Sequence, residues 1–206
     1  MSNRNILLAA AFAITLAVLG TTTWLLTVGS GPEHDVLEGA KGVIKAPPGV
    51  GGPIKLVSGS GQTVTEKTFE GRHALVFFGY TFCPDVCPTG LQNIASALDR
   101  LGNLSEKVVP IFISVDPDRD TPNQLSEYVK LFHHSMVGLT GTEAQIKAVT
   151  KRFRVYYALR KDLDPKDYLV DHSAFVYFMD PSWKLRAVFD HSASPDQIAS
   201  ALVKVL

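Results

Sequence analysis

The apolar positions along this chain fall into several distinct patterns. Ile6 to Val28 is an unbroken run of 23 residues without a charge or a proline. As a helix rising ~1.5 Å per residue it covers ~35 Å, more than the ~30 Å hydrocarbon core of a bilayer. His73 to Tyr80 and Val108 to Val115 are shorter, near-continuous apolar runs, as expected of central strands covered on both faces. Between them Leu91, Ile94, Ala95, Leu98 and Leu101 recur at helical spacing and predict a helix from about Pro88 to Leu101. Three further helices are expected: from Asp120-Thr121-Pro122 to about His133, from Thr142-Glu143 to about Phe153, and from Ser194-Pro195 onward. Ile54 to Val57 and Thr63 to Thr65 read as short strands around a Ser/Gly turn. Ser173 to Met179 and Lys184 to Phe189 read as a hairpin closed by Asp180-Pro181-Ser182-Trp183. Two short strands, a βαβ unit, two helices, a hairpin and a helix suit an α/β sandwich of the thioredoxin type with a central mixed sheet.

Composition divides the chain of 206 residues in three. The apolar run is the first part, read as a membrane anchor over residues 1–28. A cleaved secretory signal is its rival, but signal cores are shorter, about 7–15 residues, and end at a small-residue cleavage site. Trp24, Leu25 and Leu26 prolong the run past Gly20, which favours an uncleaved transmembrane helix. No cysteine follows the run, so lipoprotein processing is excluded, and a mitochondrial transit peptide would carry more Arg and Ser. Arg4 precedes the span and Glu33 and Asp35 follow it, so the positive-inside rule exports the remainder. The reading is a single-pass protein of a bacterial inner (cytoplasmic) membrane with its C-terminal domain in the periplasm. Residues 29–53, rich in Gly and Pro, read as a tether, and residues 54–206 as the domain. Twenty basic groups balance twenty acidic ones, which rules out the broad cationic surface of a nucleic-acid binder.

The candidate chemistry lies in two cysteines, Cys83 and Cys87, in GYTFCPDVCP between the first central strand and its helix. That is the carboxyl end of a strand, where open α/β sheets place their sites. The bland reading is a structural disulfide, as exported cysteines usually pair, but so short a loop would constrain the unfolded chain little. Pro84 and Pro88 bias the cysteines away from helical dihedrals, which predicts both sulfurs in the loop before the helix, with Cys87 near the N-cap. The helix amino end stabilises negative charge, so at least one thiol should have a lowered pKa. The C-x₃-C spacing suits two sulfurs on one soft metal as well as it suits thiol exchange, and spacing alone leaves both open.

Two thiolates favour Cu(I) or Zn, and an added imidazole suits Cu(II). Of six histidines, His34 falls in the tether, His73 at the strand end remote from the cysteines, His133 and His134 on a solvated helix end, and His191 in a turn. His172, in Val170-Asp171-His172-Ser173, precedes the hairpin strand. In the thioredoxin arrangement the loop entering that strand faces the cysteine loop.

GYTFCPDVCP (79–88), SVDPDRDTP (114–122), VGLTG (137–141), VYY (155–157) and DYLVDHS (167–173) resemble the Sco/SenC family. These are membrane-tethered, thioredoxin-fold copper proteins of cytochrome c oxidase assembly. The likeness runs from about Pro53 to Leu206, in matching order and spacing. It implies Cys83, Cys87 and His172 as ligands for Cu(I) and Cu(II), with Cys83 and Cys87 able to pair as a disulfide. Asp116 matches a family acidic residue near the site. Asp85 and Asp171 are further candidates for the surroundings of the ligands, Asp171 as a partner for the second ring nitrogen of His172. The segment from Lys161 to Asp167 resembles the family's acidic loop but carries two lysines, which puts a cation-attracting role in doubt.

The resemblance implies a metallochaperone that delivers copper to the binuclear copper centre of an oxidase subunit. The partners would be that subunit, a copper donor and a thiol reductant. The rival is a thiol–disulfide reductase for the oxidase's copper-site cysteines, which needs Cys83 and Cys87 but not His172. A weaker rival is a peroxidase, since Val86-Cys87-Pro88-Thr89 is faintly similar to peroxiredoxins.

Overall fold

Two strands with no polar face lie side by side at the centre of a sheet in the computed structural model, which describes Leu37, residues 42–161 and residues 167–206. Strand β4 (His73–Gly79) is buried from Ala74 onward and β5 (Val108–Ser114) is buried throughout. They pair in parallel, with His73 opposite Val108 and Gly79 opposite Ser114. Both apolar runs become central strands because a strand walled by neighbours and covered on both faces has no position where a polar side chain reaches water.

The other strands extend the sheet from that pair. They are β1 (Val43–Lys45), β2 (Lys55–Ser58), β3 (Thr63–Thr65), β6 (Val137–Thr140), β9 (Phe175–Met179) and β10 (Leu185–Asp190). The eight-stranded order is β1-β10-β9-β4-β5-β6-β2-β3. β4, β5 and β6 run parallel, while β9, β10, β1, β2 and β3 join through antiparallel pairs. This is the expected mixed sheet of a thioredoxin-like α/β fold. A separate two-stranded sheet joins β7 (Tyr157–Leu159) to β8 (Val170–His172).

The helices are α1 (Val86–Leu101), α2 (Pro122–Lys130), α3 (Glu143–Phe153) and α4 (Pro195–Val203). Thr121 with Gln124, Thr142 with Gln145 and Ser194 with Gln197 form reciprocal capping boxes, and Pro122 and Pro195 occupy first-turn positions. Each satisfied cap contributes about 1 kcal/mol and starts its helix where the sequence expects it. Helix α2 stops at Lys130, one turn short of the expected His133.

Three expectations change. Helix α1 begins at Val86 rather than Pro88, so Cys87 lies inside its first turn. Pro88 tolerates this because a first-turn N–H has no intrahelical acceptor to lose. The Gly/Pro-rich stretch is not wholly a tether. Val43 pairs with Phe189 as an edge strand, and the Trp183 indole donates to the Gly52 carbonyl at 2.8 Å. Composition reports local backbone freedom and is blind to a partner 146 residues away, so the domain reaches back past Ile54. His172 lies in its own short strand rather than at the mouth of the hairpin. The membrane-anchor reading falls on residues 1–28, outside the described residues. Among those that are described, no helix is long and apolar enough to cross a membrane.

Candidate metal centre

The end of β4 determines where the sulfurs sit. The chain leaves the sheet at Gly79, turns through Thr81 and Phe82, and enters α1 at Val86. A Cβ on Gly79 would stand 2.4 Å from Cys87 Sγ and 2.9 Å from Phe112 Cε2, so only glycine lets the sulfur pack on the strand. Cys87 is completely buried and Cys83 half-buried, and both are free thiols. The turn is pinned from β5 and the loop after it. Asp120 Oδ2 accepts from the Thr81 amide at 3.0 Å, and the Thr81 and Ser114 hydroxyls also donate to this carboxylate. Burial raises the Asp120 pKa, against those hydrogen bonds.

The cysteines are electrostatically unequal. The hydrogen bond from Cys87 brings Cys83 down to about 3, with the Asp85 and Cys87 amides helping against desolvation. The Cys87 amide, in the first turn of α1, donates to Cys83 Sγ at 3.4 Å. Cys87 moves up, because Cys83 takes the charge and burial disfavours a second one. The expected thiolate is therefore the accessible Cys83.

His172 completes the group. Its Nδ1–H donates to the Ser173 carbonyl at 3.1 Å, which leaves the Nε2 lone pair 3.3 Å from Cys87 Sγ. Tyr80 and Phe77 meet the imidazole edge-on, with centroids 5.8 and 6.5 Å away. The ligand atoms of Cys83, Cys87 and His172 all lie within 4.8 Å of one another. Two sulfurs and an unprotonated imidazole nitrogen converging on one point are a donor set fit for copper, soft enough for Cu(I) and with the nitrogen that Cu(II) favours.

The three acidic candidates lie elsewhere. Asp85 is exposed and precedes α1, and its side chain faces Thr89 Oγ1 at 3.5 Å; only its backbone amide serves Cys83. Asp171 alternates away from His172 and pairs with Arg160 at 3.1 Å, so the Ser173 carbonyl orients the imidazole instead. Asp116 is fully buried but spends its oxygens on Arg119, at 2.6 Å, and on the Tyr168 hydroxyl, at 2.7 Å. The other described histidines have other neighbours: His73 stacks on Phe178, the His133 and His134 rings lie 4.5 Å apart beside Asp99 and Ser135, and His191 faces Asp190. The segment resembling an acidic loop falls largely on residues 162–166, outside the described residues.

Gly79, Thr81 and Asp120 support the site without having been singled out from the sequence. Their signal was a glycine ending an apolar strand and the third aspartate in SVDPDRDTP, which reads as an ordinary helix start when taken alone.

The family model described as SCO1/SenC matches residues 44–206. The protein Sco1 of Schizosaccharomyces pombe is 44% identical over 158 residues, 75% of this chain and 60% of that protein. SCO1 homolog 1, mitochondrial, of Arabidopsis thaliana is 42% identical over 156 residues, 75% of this chain and 46% of that protein. The chain thus spans about half the length of these curated relatives. Among solved structures, Bradyrhizobium japonicum ScoI with copper bound superimposes with a TM-score of 0.70 at 41% identity, covering 76% of this chain and 99% of that one.

Proposed function

This chain belongs to the SCO1/SenC family, and on that premise we propose that it carries copper on Cys83, Cys87 and His172. It would deliver that copper to the binuclear centre of a cytochrome c oxidase during assembly. The observation that carries the reading is the convergence of two sulfurs and the Nε2 lone pair within 4.8 Å, with one sulfur buried and the other half open. Three donors leave the shell incomplete, so a partner's ligand can approach copper beside Cys83 while Cys87 still holds it. Copper then passes by ligand exchange without being released to solvent. Oxidation of Cys83 and Cys87 to a disulfide would remove two donors and empty the site. In the same reading Ile6 to Val28 anchors the protein in a bacterial inner membrane and presents the domain to the periplasm.

A second reading has its own observation. A lowered Cys83 pKa beside a buried, protonated Cys87 is the asymmetry of a dithiol reductant. Cys83 thiolate would attack a partner disulfide, and Cys87 would then displace the partner's second sulfur, leaving the partner reduced and this pair oxidised. Peroxidase chemistry fares worse, because the cysteine in its motif, Cys87, has no exposed surface.

Separate titrations of the reduced protein with Cu(I) and Cu(II) test the proposal. Cys83→Ser is expected to lose about a thousandfold in Cu(I) affinity, ~4 kcal/mol, since a hydroxyl is a poor donor to a soft ion. His172→Ala is expected to lose roughly a hundredfold for Cu(II), ~2.7 kcal/mol, and much less for Cu(I). Wild-type Cu(I) binding in Cys83→Ser removes the site. Wild-type Cu(II) binding in His172→Ala, with disulfide reduction intact, favours the reductase.

A further inference from the structure

The ligands arrive by unrelated routes. Cys83 and Cys87 follow β4, in the eight-stranded sheet, whereas β8 carries His172 in a separate sheet with β7. A two-stranded hairpin is marginal in water by itself. Side chains must therefore hold β8 against the cysteine loop. The Tyr80 ring does part of this by meeting the His172 imidazole edge-on, with centroids 5.8 Å apart.

The larger contact centres on Arg119, which is not itself a candidate ligand. Its guanidinium carbon lies 3.7 Å from the ring centroid of Tyr168 and 4.8 Å from that of Phe82. Its Nε donates to one oxygen of the buried Asp116 at 2.6 Å, and the Tyr168 hydroxyl donates to the other at 2.7 Å. Phe82 adjoins Cys83, and Tyr168 lies four residues before His172. One planar cation, with 14% of its side chain exposed, thus touches the chain on both sides of the site. The faces of a guanidinium can stack on aromatic rings while its edge makes a directed hydrogen bond to a carboxylate. A lysine ammonium in the same place keeps the charge but offers neither face nor fork.

We propose that Arg119 is a positioning residue for His172: gripped by Phe82 and Tyr168 and tied to Asp116, it sets the distance between the cysteine loop and β8. Its consequence for metal rests on the copper reading above. Cu(I) is satisfied by the two sulfurs of the cysteine loop, which reach their places through β4 and α1. Cu(II) needs the imidazole, and the imidazole is placed through Tyr168. Loss of the guanidinium should therefore separate the two oxidation states.

The deciding variant in the full chain is Arg119→Lys, because Arg119→Ala would leave the buried Asp116 carboxylate without a cation. Arg119→Lys is expected to keep the circular dichroism and melting of the wild type and to hold Cu(I) within about threefold. Its Cu(II) affinity should fall ~10- to 100-fold, the usual cost of losing a group that orients a ligand, with weaker histidine nitrogen coupling in the Cu(II) spectrum. In the metal-free, reduced protein the His172 Nδ1–H, bonded to Ser173, should exchange with solvent at least about tenfold faster than in the wild type. Unchanged Cu(II) affinity with unchanged nitrogen coupling overturns the proposal. So do equal losses of Cu(I) and Cu(II) accompanied by a lower melting temperature, which would mark a general structural role. If His172→Ala itself retains Cu(II), the copper reading fails, and the metal-free exchange rate still decides: a faster Nδ1–H supports positioning, and an unchanged one overturns it.

Discussion

Cys87 packs beneath Gly79 with no exposed surface, on a helix and strand of the main sheet. β8, which brings His172, borders a surface where Leu169 is 52% and Tyr156 63% exposed, and its only strand partner among the described residues is the three-residue β7. The first half is set by a close-packed core, where shifts of tenths of an ångström are felt. The second is docked by a few side chains. A carrier gains from that division. On the proposed copper reading, the two soft donors would keep the places the sheet gives them, and the nitrogen donor would depend on the few side chains that dock its arm.

The largest effect expected from this contrast is in the pH dependence of Cys83 alkylation. A pKa lowered to about 3 means that the fold favours the deprotonated sulfur, so the thiolate persists as pH falls until that value is approached. An unfolded thiol, with a pKa near 8.5, loses thiolate about tenfold per pH unit below it. Between pH 8 and pH 5 the iodoacetamide rate at Cys83 of the folded, reduced protein should change little, whereas in the urea-unfolded chain it should fall on the order of a thousandfold. Mapping the labelled peptide separates Cys83 from Cys87. An inflection near pH 8 in the folded protein would mean that the rigid half does not hold a thiolate.

Gly79→Ala probes the same half by packing. The new methyl must displace Cys87 Sγ, 2.4 Å away, or the Phe112 ring, 2.9 Å away. Overpacking of this kind costs ~1–3 kcal/mol. Denaturant unfolding should show that loss, and Cu(I) and Cu(II) affinities should fall together because the shared sulfur moves. A loss confined to Cu(II) would contradict the assignment of Gly79 to the sulfur side.

The same contrast governs how much the sequence disclosed. The cysteine half was legible because its signals are local: an apolar run, a C-x₃-C loop, a proline and a helical period follow one another within thirty residues. His172 needed the resemblance, since one histidine among six carries no local mark of its partners. The strands β1, β6, β7 and β8 span only three or four residues each, too short for a period, and exist through pairings such as Val43 with Phe189 or Tyr157 with His172. Asp116, Arg119 and Asp120 lie within five residues of one another, but their partners come from two distant segments. Asp120 binds Thr81, Asp116 binds Tyr168, and Arg119 also meets Phe82. No reading of SVDPDRDTP alone could divide those roles.

The smallest effect is expected at Asp171, next to His172 in the chain and a natural candidate to orient it. Strand alternation turns its carboxylate outward, 52% exposed, to an ion pair with Arg160, itself 41% exposed. Solvent screens such a pair to within about 0.5 kcal/mol, and Nδ1 of His172 is already satisfied by Ser173. Asp171→Asn keeps the shape of the side chain and removes only the charge. It should leave the denaturation midpoint nearly unchanged, Cu(II) affinity within about twofold, and the nitrogen coupling in the Cu(II) spectrum intact. A tenfold loss of Cu(II) would mean that Asp171 swings to Nδ1 when copper is present and displaces the Ser173 carbonyl. β8 would then have to rotate its alternation on loading. The histidine half would be a moving part with two settings rather than a docked arm with one, and a comparable change in Asp85→Asn would be needed before the cysteine half could be described in the same way.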